Sequence, residues 1–430
     1  MTPDNTAALL LKGYTWLPDL RRRHDGAPVR ARLLGRPVRI LHGPEDVDFF
    51  YDERHVRRTG ALPGFVLDTL FGRGAVHTLD GTAHHVRKKL FLDTLTDPGG
   101  VRALADLAGE EWRTAMARCR GRETVLFDEA AYVLARAVSA WAGLPPADEA
   151  TERELARDCV AMVDGFAGPG PRHLRARRAR ARQERRLARA VEEARAHPAE
   201  PSPPTPFQAV VRHRDADGTL LDAPTAAVEL LNIVRPTVAV AWFVIFAAQA
   251  LHGATRAAAD GGPDLVARLA DDSSNGYAWA FAQEVRRFYP FVPFVGGLTA
   301  DGRGPDGERL PDGTMLLLDV YGQDHDPDLW DEPYRFQPER FLGASAHHQG
   351  LMIPQGGGPR DGHRCPGEDI TVAVLGALVR ELARTGFTVP EQDLRIPIHR
   401  IPTRPRSGFR VRVGERHSSR RSSTARSTAP

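Results

Sequence analysis

Ile353-Pro354-Gln355-Gly356-Gly357-Gly358-Pro359-Arg360-Asp361-Gly362-His363-Arg364-Cys365-Pro366-Gly367-Glu368 is the stretch that decides the fold. A glycine-rich run ends in one cysteine and then in a helix start. Pro366 suits a first helical turn, Glu368 suits its positive end, and Thr371 to Arg384 carries an apolar face at helical spacing. Free N–H groups and the helix dipole at that position favour Cys365 as a thiolate. The glycines let the backbone close around the sulfur and lie against something flat, and N–H donors to sulfur tune a bound metal. One cysteine cannot build a structural zinc site, whereas a single thiolate on an iron macrocycle needs only one. A small buried thiol is the competing reading of a lone cysteine.

The loop from Gln355 to Glu368 resembles the haem-ligand loop of the cytochrome P-450 superfamily. Its wording, Gln355-Gly356-Gly357-Gly358 followed by Gly362-His363-Arg364-Cys365-Pro366-Gly367-Glu368, is similar to that of the fatty-acid peroxygenase branch. It departs from the general superfamily loop at Gly358, where an aromatic usually stands seven residues before the cysteine. Glu284-Val285-Arg286-Arg287 resembles the ExxR helix motif, and Pro338-Glu339-Arg340-Phe341 the PERF segment. The resemblance spans roughly residues 10 to 413. It implies a mainly α, single-domain fold with small β-sheets, residues 1–413 forming a haem-thiolate peroxygenase domain. The implied cofactor is haem b with Cys365 as its axial ligand.

At 430 residues and 42% hydrophobic content the chain can bury one large core, and no Pro/Gly/Ser-rich stretch halves it. Three cysteines, Cys119, Cys159 and Cys365, are too few and odd in number for a disulfide framework, which points to a reducing compartment. The opening residues lack a basic segment followed by an apolar run, so the expectation is a cytoplasmic protein without a membrane anchor. The net charge of +3 is accounted for by Arg416, Arg420, Arg421 and Arg426 against Glu415 in the last sixteen residues. Residues 414–430, rich in Ser, Thr and Arg, read as a disordered basic tail, solvated rather than nucleic-acid-binding.

Along the chain, Val29–Leu33 and Pro37–Leu41 read as a hairpin with a short helix at Pro44–Tyr51 behind it. Helical spacing marks His84–Leu95, Val101–Arg118, Phe127–Trp141 and Asp148–Val163. Pro171–Ala196 carries ten arginines and a thin apolar stripe of Leu174, Leu187, Ala190 and Ala194, without aromatics to stack on bases, and reads as a solvated face. Five prolines in His197–Pro206 predict an extended loop. Asp222–His252 is a long apolar segment, Val228–Leu251 being almost free of charge; Arg235-Pro236 interrupts it, so a helix buried through the domain is expected rather than a membrane span. A helix over Asn275–Phe288 places Glu284 and Arg287 three apart, close enough to pair. The resemblance adds Arg340 as third partner in a buried network that fixes the cysteine loop. Gly296–Leu298, Arg309–Leu310 and Thr314–Leu318 read as short strands, with Gly408–Val413 closing their sheet.

Superfamily monooxygenases normally carry an acid–alcohol pair in the central helix, where this chain has Ile233-Val234-Arg235-Pro236-Thr237-Val238. A guanidinium cannot shuttle protons. An arginine buried in an apolar helix needs an anion, and a carboxylate held bidentately would supply it. In the peroxygenase branch the Arg-Pro pair is a signature, and the fatty-acid carboxylate serves as the acid/base for hydrogen peroxide. Pro236 lacks an N–H, so the Asn232 carbonyl loses its helical donor and a local break is expected. Phe71 and His77 match the family segment on the distal side of the haem; histidine there occurs in an alkene-forming relative and glutamine in a β-hydroxylating one. His84, Lys88 and His363 match positions that meet haem propionates, and Phe291, Val292 and Phe294 are expected to line an acyl-chain channel or to pack as core.

The expected function is therefore a peroxide-dependent enzyme acting on fatty acids, by α/β-hydroxylation or decarboxylation to terminal alkenes, with no obligatory redox partner. Rivals are a reductase-dependent haem monooxygenase on another small acid, a non-catalytic haem sensor or carrier, and, remotely, a nucleic-acid binder built on the arginine helix.

Overall fold

The longest helix, α7 (Ala223–Ala259), runs through the middle of the protein, nearly every residue from Ala226 to Ala248 being buried. It passes the length and apolarity of a membrane span, yet 94% of its apolar window is covered by the rest of the fold. The computed structural model describes residues 3–24, 28–198, 204–259, 264–271, 276–343 and 350–414. Of the basic tail over 414–430, all but Gly414 lies outside the described residues.

Helices α1 (Pro44–Tyr51), α2 (Gly81–Leu95), α3 (Pro98–Cys119), α4 (Leu126–Ala142), α5 (Glu149–Asp164) and α6 (Pro171–Ala196) precede α7, and α8 (Gly276–Phe288) and α9 (Glu368–Thr385) follow. Capping sets several of the ends: the Asp97 and Asp148 carboxylates accept the Gly100 and Thr151 N–H groups, and α4 stops where Gly143 turns left-handed. One apolar core joins α3, α4, α5, α7, α8 and α9, with Trp112, Phe127, Trp242, Phe246 and Phe281 fully buried in it. The fold is mainly α, as expected.

Five strands stand at one side: β1 (Arg30–Leu33), β2 (Arg36–Leu41), β3 (Val56–Arg57), β5 (Val295–Thr299) and β6 (Met315–Leu318), joined in one sheet in the order β1-β2-β6-β5-β3. The expected hairpin is there, turning at Leu34 and Gly35 with positive φ, and β2 pairs parallel with β6. Other expectations fail locally. Gly408–Val413 does not close this sheet; β8 (Arg410–Val413) joins β4 (Glu123–Val125) and β7 (Phe387–Thr388) in a second one. Arg309 forms only an isolated bridge with Arg303, not a strand. Pro366 precedes its helix, Gly367 being the N-cap and Glu368 the first residue, and Pro206 belongs to the helix Pro206–Arg212 rather than to the loop before it. Residues 199–203 of that loop are outside the described ones.

The arginine-rich α6 is not simply a solvated face. Leu174 is 51% exposed, while Ala176, Ala179, Arg180, Gln183, Leu187 and Val191 are buried. Arg182 pairs with Asp158 on α5, and Arg195 donates to the Val211 and Leu221 carbonyls. Polar side chains turned inward can do this because each meets a carbonyl or carboxylate.

Candidate active site

The loop 353–367 lies between α1 and the start of α9. Cys365 N–H donates to the Gln355 carbonyl at 3.1 Å, and the Gln355 side-chain Nε2 reaches the Cys365 Sγ at 3.6 Å. Desolvation raises the thiol's pKa, against the lowering hydrogen bond from the Gly367 N–H, so the helix start alone does not hold Cys365 as a thiolate. A coordinated metal would take the place of that proton. The glycine at 358 has a cause: its φ is +72°, and a Cβ there would collide with the Cβ of Tyr51. Tyr51, from α1, fills the space beside the loop, packed edge-on against Phe50.

Glu284, with no exposure, receives both Arg287 Nε and Nη2 at 2.7 Å and the Gln337 N–H at 2.8 Å; Arg340 Nε is 3.2 Å from it. The expected triad is therefore assembled and dry. Its link to the cysteine loop runs through Arg286, a residue that the ExxR spacing does not single out. Arg286, also buried, bonds Glu368 at 2.7 Å at the head of α9. Arg287 in turn donates to the Asp324 carbonyl, and the Asp324 carboxyl accepts the Ile353 N–H.

Across from the loop, Arg235 is 7% exposed and makes a single side-chain hydrogen bond, Nη2 to Asn232 Oδ1 at 3.3 Å. Its Nε is buried without a partner, and its charged centre stands 5.7 Å from the Phe71 ring centroid. No carboxylate among the described residues lies within ion-pair distance of it. Burial, and then the neighbouring Arg180 charge, push its pKa down to about 9. Pro236 does not break α7, which is helical from Ala223 to Ala259; the Thr237 hydroxyl bonds the Ile233 carbonyl at 2.9 Å.

Phe71 ends a π-helical turn, Leu67–Phe71, and is pinned from two helices. Arg180 Nη2 and Asn232 Nδ2 both donate to its carbonyl at 3.0 Å. Gly72, at φ +89°, leaves room for the Arg180 guanidinium. His77 lies 4.5 Å from the Phe71 ring centroid. Burial and then the Arg235 charge drive its pKa down to about 3, and its Nδ1 has no partner. Beneath them, Glu229 accepts the Val76 N–H at 2.8 Å, Arg87 Nη1 at 2.7 Å and Asn232 Nδ2 at 3.2 Å, while Arg87 also pairs with Asp215. Glu229, Asn232, Arg87 and Arg180 are site residues that sequence reasoning missed. The available signal was Glu229-x-x-Asn232-x-x-Arg235, a polar strip on an apolar helix.

His84 and His363 come together, their rings stacked at 3.8 Å. His84 Nδ1, His363 Nε2, Arg58 Nη1 and Glu53 Oε1 are all buried without hydrogen-bond partners. Arg58 is a further residue that sequence reasoning missed. Lys88 is buried and donates to the Arg364 carbonyl instead of joining this group. Phe291, Val292 and Phe294 are half-buried and packed in three different clusters, beside Phe243, among the residues around Val47, and against Trp16.

The cytochrome P-450 family profile matches residues 272–389. Among solved structures, cytochrome P-450SP alpha (CYP152B1) in complex with (R)-ibuprophen is 38% identical at a TM-score of 0.87, over 95% of this chain and 98% of that one. Wild-type cytochrome P-450EX alpha (CYP152N1) with myristic acid is 35% identical at 0.86, over 96% and 98%. A variant of cytochrome P-450 OleT in complex with arachidonic acid is 33% identical at 0.87, again over 96% and 98%. Rabbit (Oryctolagus cuniculus) cytochrome P-450 4A7 is 36% identical over 145 residues, 33% of this chain. The chain spans about a quarter of the length of such curated relatives, 27% in that case.

A haem fits the residues present. It has one soft ligand to take, Cys365, which already accepts from the Gly367 N–H, and two carboxylate arms to satisfy. Arg58 Nη1, His84 Nδ1 and His363 Nε2, buried and without hydrogen bonds although Glu53 and Asp80 lie within ion-pair distance of the histidines, would hold those arms. Identity of a third or more, carried over nearly the whole of both chains, then leads to one conclusion: the protein binds haem through a thiolate and belongs to the cytochrome P-450 family, in its fatty-acid peroxygenase branch.

Proposed function

We propose that the protein uses hydrogen peroxide to hydroxylate fatty acids at the α or β carbon, or to decarboxylate them to terminal alkenes. Bound haem supplies the oxidising centre and the oxygen-transfer chemistry. The observation that carries this reading is Arg235, a buried cation within electrostatic range of Cys365 and with no carboxylate of its own among the described residues. A fatty-acid carboxylate accepting from the guanidinium would neutralise it, and Phe71 beside it would fix where the first carbons of the chain lie. That carboxylate also stands in for the missing acid–alcohol pair, holding and returning the proton that peroxide must move. Glu229, the other ionisable group in this part of α7, is committed to Arg87, Asn232 and the Val76 N–H. His77 tunes that proton transfer, and Phe291, packed against Trp242 and Phe243 of α7, borders the path of the acyl chain, whereas Val292 and Phe294 pack into other clusters.

Solved structures of similar proteins with myristic and arachidonic acid support a long-chain acid as substrate. On this reading no reductase or ferredoxin is needed. The test is product analysis by mass spectrometry after mixing the purified holoenzyme, tetradecanoic acid and peroxide, without any reductant. Hydroxy acid or alkene is expected. Turnover that requires a reductase would point instead to a monooxygenase, and a normal haem spectrum with no product in either case to a sensor or carrier.

A further inference from the structure

Behind α7, on the segment that carries Val234, lies a cavity of about 230 Å³, bordered by the α4–α5 loop, α5 and α6 and open to solvent on one side. Leu144, Pro145, Leu155, Leu187 and Val234 give it apolar walls. Two polar groups face it unsatisfied. Gln183 is 1% exposed; its Nε2 donates to Asp158 at 2.7 Å, which fixes the amide's orientation and leaves Oε1 buried without a donor. Arg186, three residues on and so on the same helix face, has a buried Nη1 without an acceptor. The rim adds exposed Arg189 and Glu193, so the lining carries two arginines against one glutamate, with the Asp148 carboxylate at the start of α5 near enough to feel the Arg186 charge.

An orphaned acceptor beside an orphaned cationic donor is costly in an apolar cavity and calls for a guest that satisfies both. We infer that this cavity is a second ligand site, for a short-chain hydroxy acid whose hydroxyl donates to Gln183 and whose carboxylate accepts from Arg186. A cavity of about 150 Å³ holds benzene, so this one covers a body of roughly six to ten carbons. None of these residues belongs to the haem site, so the second site is independent of whether the protein oxidises fatty acids.

The test is calorimetric titration of the holoenzyme with 2-hydroxyhexanoate after the haem-side pocket has been saturated with tetradecanoic acid. One site is expected to remain, at least tenfold weaker in Arg186→Leu, lost in Leu187→Trp, which fills the cavity, and at least fivefold weaker for hexanoate, which lacks the hydroxyl. Haem absorption and the thermal midpoint confirm that each variant is folded. Loss of binding in the presence of tetradecanoic acid, no binding at all, or equal binding by both folded variants would overturn the inference. The competition result on the unaltered protein decides it even if a variant fails to fold.

Discussion

Arg235 Nη2 lies 3.3 Å from Asn232 Oδ1, and that carboxamide's nitrogen donates to the carbonyl of Phe71. One side chain thus ties the buried cation to the aromatic beside it and leaves most of the guanidinium's five donors free for an anion. Arg235→Leu removes the charge and keeps the volume apolar. Losing one partner of a desolvated charge pair costs about 2–5 kcal/mol, so kcat/KM for a long-chain acid should fall at least about 30-fold. Haem content, read from absorption, should be unchanged. Undiminished turnover would remove the carboxylate from the mechanism.

Glu229 carries the next prediction. It is fully buried and holds Arg87, Asn232 and the Val76 N–H together. Glu229→Gln leaves Arg87 with Asp215 as its one carboxylate among the described residues and loosens Asn232, at a cost of about 3 kcal/mol for a broken buried pair. A lower denaturation midpoint is expected, with a higher KM for fatty acid as the 71–77 segment shifts. A variant as stable as the parent would mean that Asp215 alone satisfies Arg87.

Much of this was legible in the sequence because it is local. Helix spacing placed most of the long helices to within a few residues, although α7 runs seven residues past the expected end at His252, and the cysteine loop and Glu284-x-x-Arg287 named their own neighbourhood. What sequence could not supply was pairing between segments far apart. Tyr51 filling the place beside Gly358, Arg180 reaching the Phe71 carbonyl and Arg286 reaching Glu368 depend on packing, not on spacing. Gly408–Val413 went to the wrong sheet for the same reason: strand character is local, whereas the partner is chosen by the tertiary fold.

The buried ion network should govern haem retention. Glu284 has no solvent exposure and is the only carboxylate within ion-pair distance of both Arg287 and Arg340 among the described residues. Glu284→Gln leaves two cations under-compensated, a loss of about 3–5 kcal/mol. The haem-to-protein ratio after purification should drop sharply. Full haem loading would show that Arg286 and Glu368 alone fix the cysteine loop.

A pH effect follows from His42, whose Nε2 is 2.6 Å from Asp326 Oδ2. Burial, and then the Arg21 charge, lower its pKa from 6.5 to about 4. The unfolded chain therefore binds this proton more readily than the folded one, so the contribution is complete above about pH 6.5 and fades as pH falls toward 4. At about 1.4 kcal/mol per unit, the loss by pH 4 is about 3 kcal/mol. His42→Gln should flatten that part of the stability curve, measured by denaturant unfolding between about pH 4 and 7. A parallel curve would assign the acid sensitivity to other groups.

His77 faces Phe71 and, through burial and the nearby Arg235 charge, is neutral at pH 7 with its pKa lowered to about 3. A carboxylate paired with Arg235 would cancel the second of those causes, so the histidine's pKa rises from that low value when substrate is bound, burial still opposing it, and its ring nitrogen is a proton acceptor beside the acid. Glutamine keeps a hydrogen bond but cannot take the proton. His77→Gln should therefore cut alkene formation by about tenfold, less than the roughly 10²–10⁴ of a full general acid because the carboxylate remains. Hydroxy acid should become the larger product by gas chromatography of extracted reactions at fixed peroxide. An unchanged ratio would leave the product outcome to the placement of the acyl chain against Phe71 alone.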